Sequence, residues 1–280
     1  MAEQEDDLGS LREEVSRLRA EVARLTPSLA LLLKTRGYRI HREKPHEPPL
    51  LPSDQYRERY YELMKSYAFR LFLRDAIKHQ DGFTADTVTR YATRQVTESY
   101  IKALLAIKLL APADGAYRLR QKPITSFGPT LEWFVAEVLK REYQTEAVWG
   151  VSFKRPKVGG DYDVIAKLAW RLLYVEVKSS PPKQIYQTEV SEFLSRVEDL
   201  APEIAVFFMD TELRMKDKIV PLFEEELARR SIRHGVLRMH KELFHIDNRL
   251  FIMNAKESIE SNFAKIIRWY FLYNTNSRQE

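Results

Sequence analysis

Between Gly159 and Ser180 the chain reads GGDYDVIAKLAWRLLYVEVKSS, which sets carboxylates and lysines among residues otherwise typical of two buried strands. Alternate side chains of a strand share a face, so Tyr174, Glu176 and Lys178 point one way while Leu173, Val175 and Val177 point the other. This spacing places a carboxylate beside an ammonium and leaves the Val177 carbonyl available at a strand end. If DYDVIAKL pairs antiparallel with LLYVEVKS through a turn at 169–171, Asp163 falls near Glu176 across the ladder. Two carboxylates about 4 Å apart repel by about 4 kcal/mol at an effective dielectric near 20. A hard divalent ion such as Mg²⁺ relieves that repulsion and leaves room for phosphate oxygens. The competing reading is a structural ion pair in which Lys178 neutralises one acid.

Such residues need a sheet to hold them and a helix to close the site. The second half of the chain supplies the pattern: an amphipathic helix over 129–143, strands at VWGVSF, DYDVIAKL and LLYVEVKS, and a helix over 187–200. A fully buried strand IAVFFM follows, then a helix over 216–230, a hairpin around Asp247-Asn248 and a final helix over 258–273. The class is α/β, a mixed sheet flanked by helices.

The succession FGPTLEWFVAEVLKREYQTEAVWGVSF, GGDYDVIA and LLYVEVKSS resembles the PD-(D/E)XK nuclease superfamily, the restriction-endonuclease-like fold, over roughly residues 127–210. The matching elements are a Glu on the opening helix, an acid in the second strand and Glu-x-Lys in the third. Glu176-Val177-Lys178 is the only acid-x-Lys in the chain. The resemblance implies that Asp163 and Glu176 are metal ligands together with the Val177 carbonyl, that Glu132 is an accessory ligand, and that Lys178 orients or helps activate the attacking water. One or two Mg²⁺ or Mn²⁺ ions would serve as Lewis acid and water generator. Where the family has Pro-Asp, this chain has Tyr162-Asp163, and Asp161 is the alternative ligand. Glu137 is the alternative to Glu132. The loop residues Lys154, Arg155 and Lys157 lead into the site and could hold a phosphate backbone; an ordinary solvated turn is the other reading. Lys183 and Gln187 are weaker candidates for substrate contact. His234, His240 and His245 lack ligand spacing, and IIRWYFLY reads as a core-facing helix.

The net charge of +5 is unevenly spread: residues 53–127 hold 13 Lys and Arg against 8 Asp and Glu, whereas residues 1–52 (9 against 9) and 128–280 (23 against 23) are balanced. A basic segment beside a neutral one points to a polyanion partner. Its rhythm predicts a long helix from Ser53 to the Asp81-Gly82 turn, helices over 85–92 and 96–109 with Thr97 as a possible cap, and two strands around Asp114-Gly115. Three helices and a hairpin resemble a winged helix-turn-helix domain. That resemblance implies a recognition helix with Arg94, Ser99 and Lys102 near DNA, and Arg118 and Arg120 on the wing.

Ahead of this segment, Leu8, Leu11, Val15, Leu18, Val22 and Leu25 form a short heptad seam, read as a dimerisation helix. The organisation expected is therefore a helical dimerisation segment at 1–43, a proline-rich linker at 44–52, a DNA-binding winged helix at 53–125 and a nuclease-like domain at 126–280. With no cysteine, disulfides and thiolate metal sites are excluded. No apolar run reaches the roughly 20 residues of a membrane span, and the acidic N-terminus lacks a signal region, so a cytoplasmic location is expected. The reading is a Mg²⁺-dependent endonuclease acting on double-stranded DNA as a homodimer, with RNA also compatible with the site chemistry. The alternative is a non-catalytic DNA-binding regulator that uses the same fold as a dimerisation or effector-binding scaffold.

Overall fold

The computed structural model describes residues 11, 13–18, 21, 25–43, 47–154 and 158–274. The run IAVFFM forms β7 (Ile204–Met209), buried at all six positions because both faces of its sheet are covered. Neighbouring it are β6 (Arg171–Lys178) and β10 (Leu250–Asn254), both parallel to it. Outward from β6 come β5 (Tyr162–Leu168), β4 (Ala147–Phe153) and β1 (Ile40–Glu43), each antiparallel to its neighbour. On the other side β10 pairs antiparallel with β9 (Leu243–Ile246), and β9 with β8 (Leu237–His240). The result is one mixed eight-stranded sheet. Strand β1 is an addition to the expected set, and it joins residues 40–43 to the sheet.

Alternation along β6 and β7 divides the core. Leu173, Val175, Val206 and Phe208 face α6 (Gly128–Tyr143) and α9 (Ile259–Asn274), while Leu172, Tyr174, Ala205 and Phe207 face α7 (Gln187–Leu200) and α8 (Ile219–Arg229). Leu29 and Leu33 of α1 (Leu29–Thr35) join the second layer. Helix α6 begins at Gly128-Pro129, where proline costs no hydrogen bond, and α7 keeps the expected limits.

The basic segment also folds as helices and a hairpin, with one change. The single long helix is instead a 3₁₀ turn, α2 (Arg57–Met64) and α3 (Tyr67–Lys78), because the Ser66 side chain accepts the Phe69 N–H and starts a new helix. Next come α4 (Ala85–Val88), shorter than expected, and α5 (Arg94–Ala106). Thr93, not Thr97, caps α5; Thr97 is buried and donates to the Thr93 carbonyl. Strands β2 (Leu110–Ala113) and β3 (Ala116–Leu119) turn at Asp114 and Gly115, both in the left-handed region, as a tight hairpin requires.

One buried cluster runs without interruption from Phe69, Phe72 and Leu104 through Trp133 and Phe134 to Val175 and Phe208. Tyr60 stacks on Trp133 with ring centroids 5.5 Å apart. Within the proline-rich run, Leu50 is buried, donates its N–H to Thr130 Oγ1 (2.9 Å) and accepts from the Tyr60 hydroxyl (3.0 Å). Arg70 and Arg74 of α3 reach across to Asp210, just beyond β7, with N–O distances of 2.9 and 2.6 Å.

Of the heptad seam, Leu11, Val15, Leu18 and Leu25 are helical and exposed. Leu8 and Val22 lie outside the described residues. Among the described residues no helix is long and apolar enough to cross a membrane.

Candidate active site

The β5–β6 hairpin pairs Val164 with Val175, a register that brings Asp163 opposite Glu176. Asp163 Oδ2 accepts the Val177 N–H at 2.7 Å, so the carboxylate is fixed by the neighbouring backbone. Val177 thus contributes its N–H here. Glu176 is buried and heavily supplied with donors: Lys178 Nζ lies 2.8 Å from Oε1, Arg196 Nη1 lies 3.2 Å from each oxygen, and the Tyr174 hydroxyl donates to Oε2. Glu132, on the second turn of α6, feels the charges of Asp163 and Glu176.

The electrostatics follow from this crowding. Desolvation pushes the Glu132 carboxyl up to about 9, and repulsion from Asp163, Glu176 and Asp161 adds to it against the pull of Lys178. Asp163 is raised to about 7 by desolvation and by Glu176, opposed by Lys178 and the Val177 N–H. Glu176 is the acid that stays ionised: burial works against it, but Lys178 and Arg196 hold it below the usual carboxylate range. Burial disfavours the Lys178 ammonium, yet Glu176 and Asp163 outweigh burial and raise it. A lysine so stabilised as a cation can orient a water or donate a proton; it is a poor base at neutral pH.

The alternatives are engaged elsewhere. Asp161 accepts from Arg42 Nη2 (3.0 Å) and from the Ser152 hydroxyl, and Glu137 pairs with Lys140 (3.2 Å) and Arg141 (3.1 Å) on its own helix. Gln187 donates to the Leu222 carbonyl and to buried Glu226, while the Lys183 carbonyl accepts from Lys218. His245 packs on Trp269 at 5.1 Å, and His234 sits 3.7 Å from Asp247.

The described residues expected at nucleic acid are on the surface but not equally available. Arg94 is shared between Asp86 (3.0 Å) and Glu98 (3.1 Å). Ser99 donates to the Val96 carbonyl, and Arg120 Nε to the Leu110 carbonyl. Lys102, Arg118 and Lys154 are exposed. Arg155 and Lys157 lie outside the described residues. Arg94 and Lys102 line a cavity of ≈ 430 Å³ together with Tyr117 and Gly115 of the hairpin.

Three residues join the site that were assigned no role in it from the sequence. Tyr174 and Arg196 bind Glu176, and Gly160 approaches Arg196 so closely that a Cβ there would stand 2.7 Å from Nη2. Arg196 had a faint signal: it lies three residues after Phe193, on the inward stripe of an amphipathic helix.

Among the described residues no group of three or more His, Cys, Asp or Glu is arranged to hold a metal ion. The chemistry of the donors still suits a hard divalent cation. Burial, with repulsion between the acids, disfavours Glu132 and Asp163 as anions, and a divalent cation would offset that cost.

No family model matches the chain, and no curated protein does. Among solved structures the chain is similar to protein VC1899 from Vibrio cholerae, with 16% identity and a TM-score of 0.49, covering 89% of this chain and 62% of that one. It is likewise similar to Can2 from Sulfobacillus thermosulfidooxidans, solved in complex with cyclic tetra-adenylate, with 15% identity and a TM-score of 0.48, covering 87% of this chain and 61% of that one. The chain spans less than two thirds of either structure. At this level of similarity neither activity nor ligand carries over.

Proposed function

We propose that the protein is a Mg²⁺- or Mn²⁺-dependent nuclease of the PD-(D/E)XK type that hydrolyses phosphodiester bonds in DNA. The observation that carries the proposal is the buried pair on the β5–β6 hairpin, Asp163 opposite Glu176 with Lys178 2.8 Å from the latter, whose charges are felt by Glu132 on α6. Glu132, Asp163 and Glu176 would hold the cation, which supplies Lewis acidity and an acidified water when bound. Lys178 stays positive, orients the attacking water and faces the charge that develops on the phosphoryl oxygens. The 53–125 segment, read as a winged helix, delivers the duplex through its cationic surface, which offsets the neutrality of residues 128–280.

Supercoiled plasmid incubated with Mg²⁺ tests the assignment. Wild type should nick it, and Asp163→Ala and Lys178→Ala should each lose about 10³-fold or more in rate. Equal nicking by all three proteins would sink the assignment. An RNA competitor in the same assay separates the two nucleic acids.

One observation favours a second reading, a non-catalytic DNA-binding regulator: Glu176 is already satisfied by Lys178, Arg196 and Tyr174 without a metal. That reading requires no Mg²⁺-linked rise in melting temperature and a steep salt dependence of DNA binding.

In this proposal the protein works as a homodimer joined by the exposed seam of Leu11, Val15, Leu18 and Leu25, which presents one apolar stripe with charges between. Deleting residues 1–26 should halve the sedimentation mass per particle. An unchanged number of subunits would remove the seam from the dimer interface.

A further inference from the structure

We infer that Arg196 is a substrate-phosphate ligand, held against Glu176 until a nucleic-acid strand enters. The inference rests on the phosphodiesterase reading of the site. Its first support is redundancy: Lys178 already stands 2.8 Å from Glu176 Oε1, so a second cation at the same carboxylate is more than neutralisation needs. The second is an unsatisfied donor. Arg196 is only 9% exposed; its Nη1 is given to Glu176, its Nη2 stands 3.6 Å from Glu192 Oε2, beyond a normal hydrogen bond, and its Nε is buried without a hydrogen-bond partner among the described residues. A guanidinium has five donors in a planar fork, and leaving a buried one unpaired is costly. The fork is therefore not saturated by the protein.

The third support is the backbone beside it. Gly160 has φ +99°, a conformation that favours glycine, and any Cβ there would meet Nη2 at 2.7 Å. Glycine lets the backbone at position 160 lie directly against the guanidinium. A phosphodiester bears two non-bridging oxygens that match the fork, whereas Lys178 can offer only a point charge. Sharing the Glu176 charge with a cation would loosen the Nη1 bonds and free the fork to turn to phosphate.

Binding of a labelled DNA duplex in Ca²⁺, measured by anisotropy over a range of salt, tests this apart from turnover. Arg196→Ala should weaken binding about tenfold and reduce the slope of log K against log salt by about 1, the loss of one phosphate contact. Arg196→Lys should keep the slope and recover only part of the affinity. Gly160→Ala, which leaves Arg196 in place but crowds it, should weaken binding in the same direction. Wild-type affinity and slope in Arg196→Ala, with only the melting temperature changed, would overturn the inference. If Arg196→Ala does not fold, wild-type affinity in both Arg196→Lys and Gly160→Ala would overturn it equally. Plasmid nicking in Mg²⁺ by the same wild-type preparation keeps the outcomes distinct. A protein that never nicks removes the phosphodiesterase reading, while a reduced salt slope in Arg196→Ala still upholds the phosphate contact.

Discussion

Replacing Asp210 with alanine is expected to lower the free energy of unfolding by about 3–5 kcal/mol, the cost of stripping one partner from a buried ion pair. Asp210 is 0% and Arg70 1% exposed, and the two are joined Oδ1 to Nε at 2.9 Å. Arg70 also donates Nη1 to the Met64 and Lys65 carbonyls, and Arg74 reaches both Asp210 Oδ2 (2.6 Å) and its carbonyl (2.9 Å). Without the carboxylate, two guanidinia would be left facing each other in an apolar seam that includes Phe127 and Phe134. Denaturant unfolding of wild type and Asp210→Ala measures the difference directly. A change below about 1 kcal/mol would mean that water or a neighbour replaces the carboxylate. The double variant Asp210→Leu with Arg70→Met should recover much of the loss, since the one charge left without its carboxylate, Arg74, is 20% exposed and can reach water. The effect should also reach the site, because the Asp210 N–H donates to the Lys178 carbonyl at 2.9 Å and so ties down the end of β6.

That clamp was not legible in the sequence, although the elements that carry it were. Strand β7 and helix α7 have the limits that periodicity gives them, since an unbroken apolar run and a clear 3.6-residue stripe leave little choice. The β5–β6 hairpin was legible as two arms of matching length, which puts Asp163 near Glu176, but the register that sets the two opposite each other comes from the folded sheet. What periodicity could not supply was partnership between distant elements. Arg70 and Arg74 are one turn apart among Phe69, Leu73 and Ile77, and Asp210 follows a wholly apolar strand, yet nothing local says that these charges meet. Strand β1 escaped for a related reason: IHRE has no buried face of its own and is a strand because β4 pairs with it. The break at Ser66 was readable in principle as a serine cap, but the apolar face continues across it and outweighs the signal. Arg196 illustrates the same limit in the site, since helical arginines are ordinarily solvated and only the buried Glu176 opposite marks this one.

Glutamine in place of Glu132 is expected to stabilise the metal-free protein above neutral pH and to abolish most of its stabilisation by Mg²⁺. The sign follows from proton counting. With its carboxyl raised to about 9, Glu132 keeps in the folded state a proton that the unfolded chain releases near its ordinary pKa of 4.5. Its contribution is therefore fully present below about pH 4.5 and is lost as the pH rises towards 9. Asp163, raised to about 7, loses stability in the same direction over the lower part of that range. At about 1.4 kcal/mol for each pH unit, Glu132 alone would cost about 4 kcal/mol between pH 5 and 8. Divalent cations act oppositely, because they bind the ionised carboxylates and gain as protons leave. Melting temperatures of wild type and Glu132→Gln at pH 5, 7 and 9, each with and without Mg²⁺, separate the terms. In the wild type, the Mg²⁺ increment should grow with pH; in Glu132→Gln the metal-free curve should be flatter and the increment small. Parallel pH curves for the two proteins would show that Glu132 titrates in its ordinary range, and that the three acids are too far apart to require a common cation.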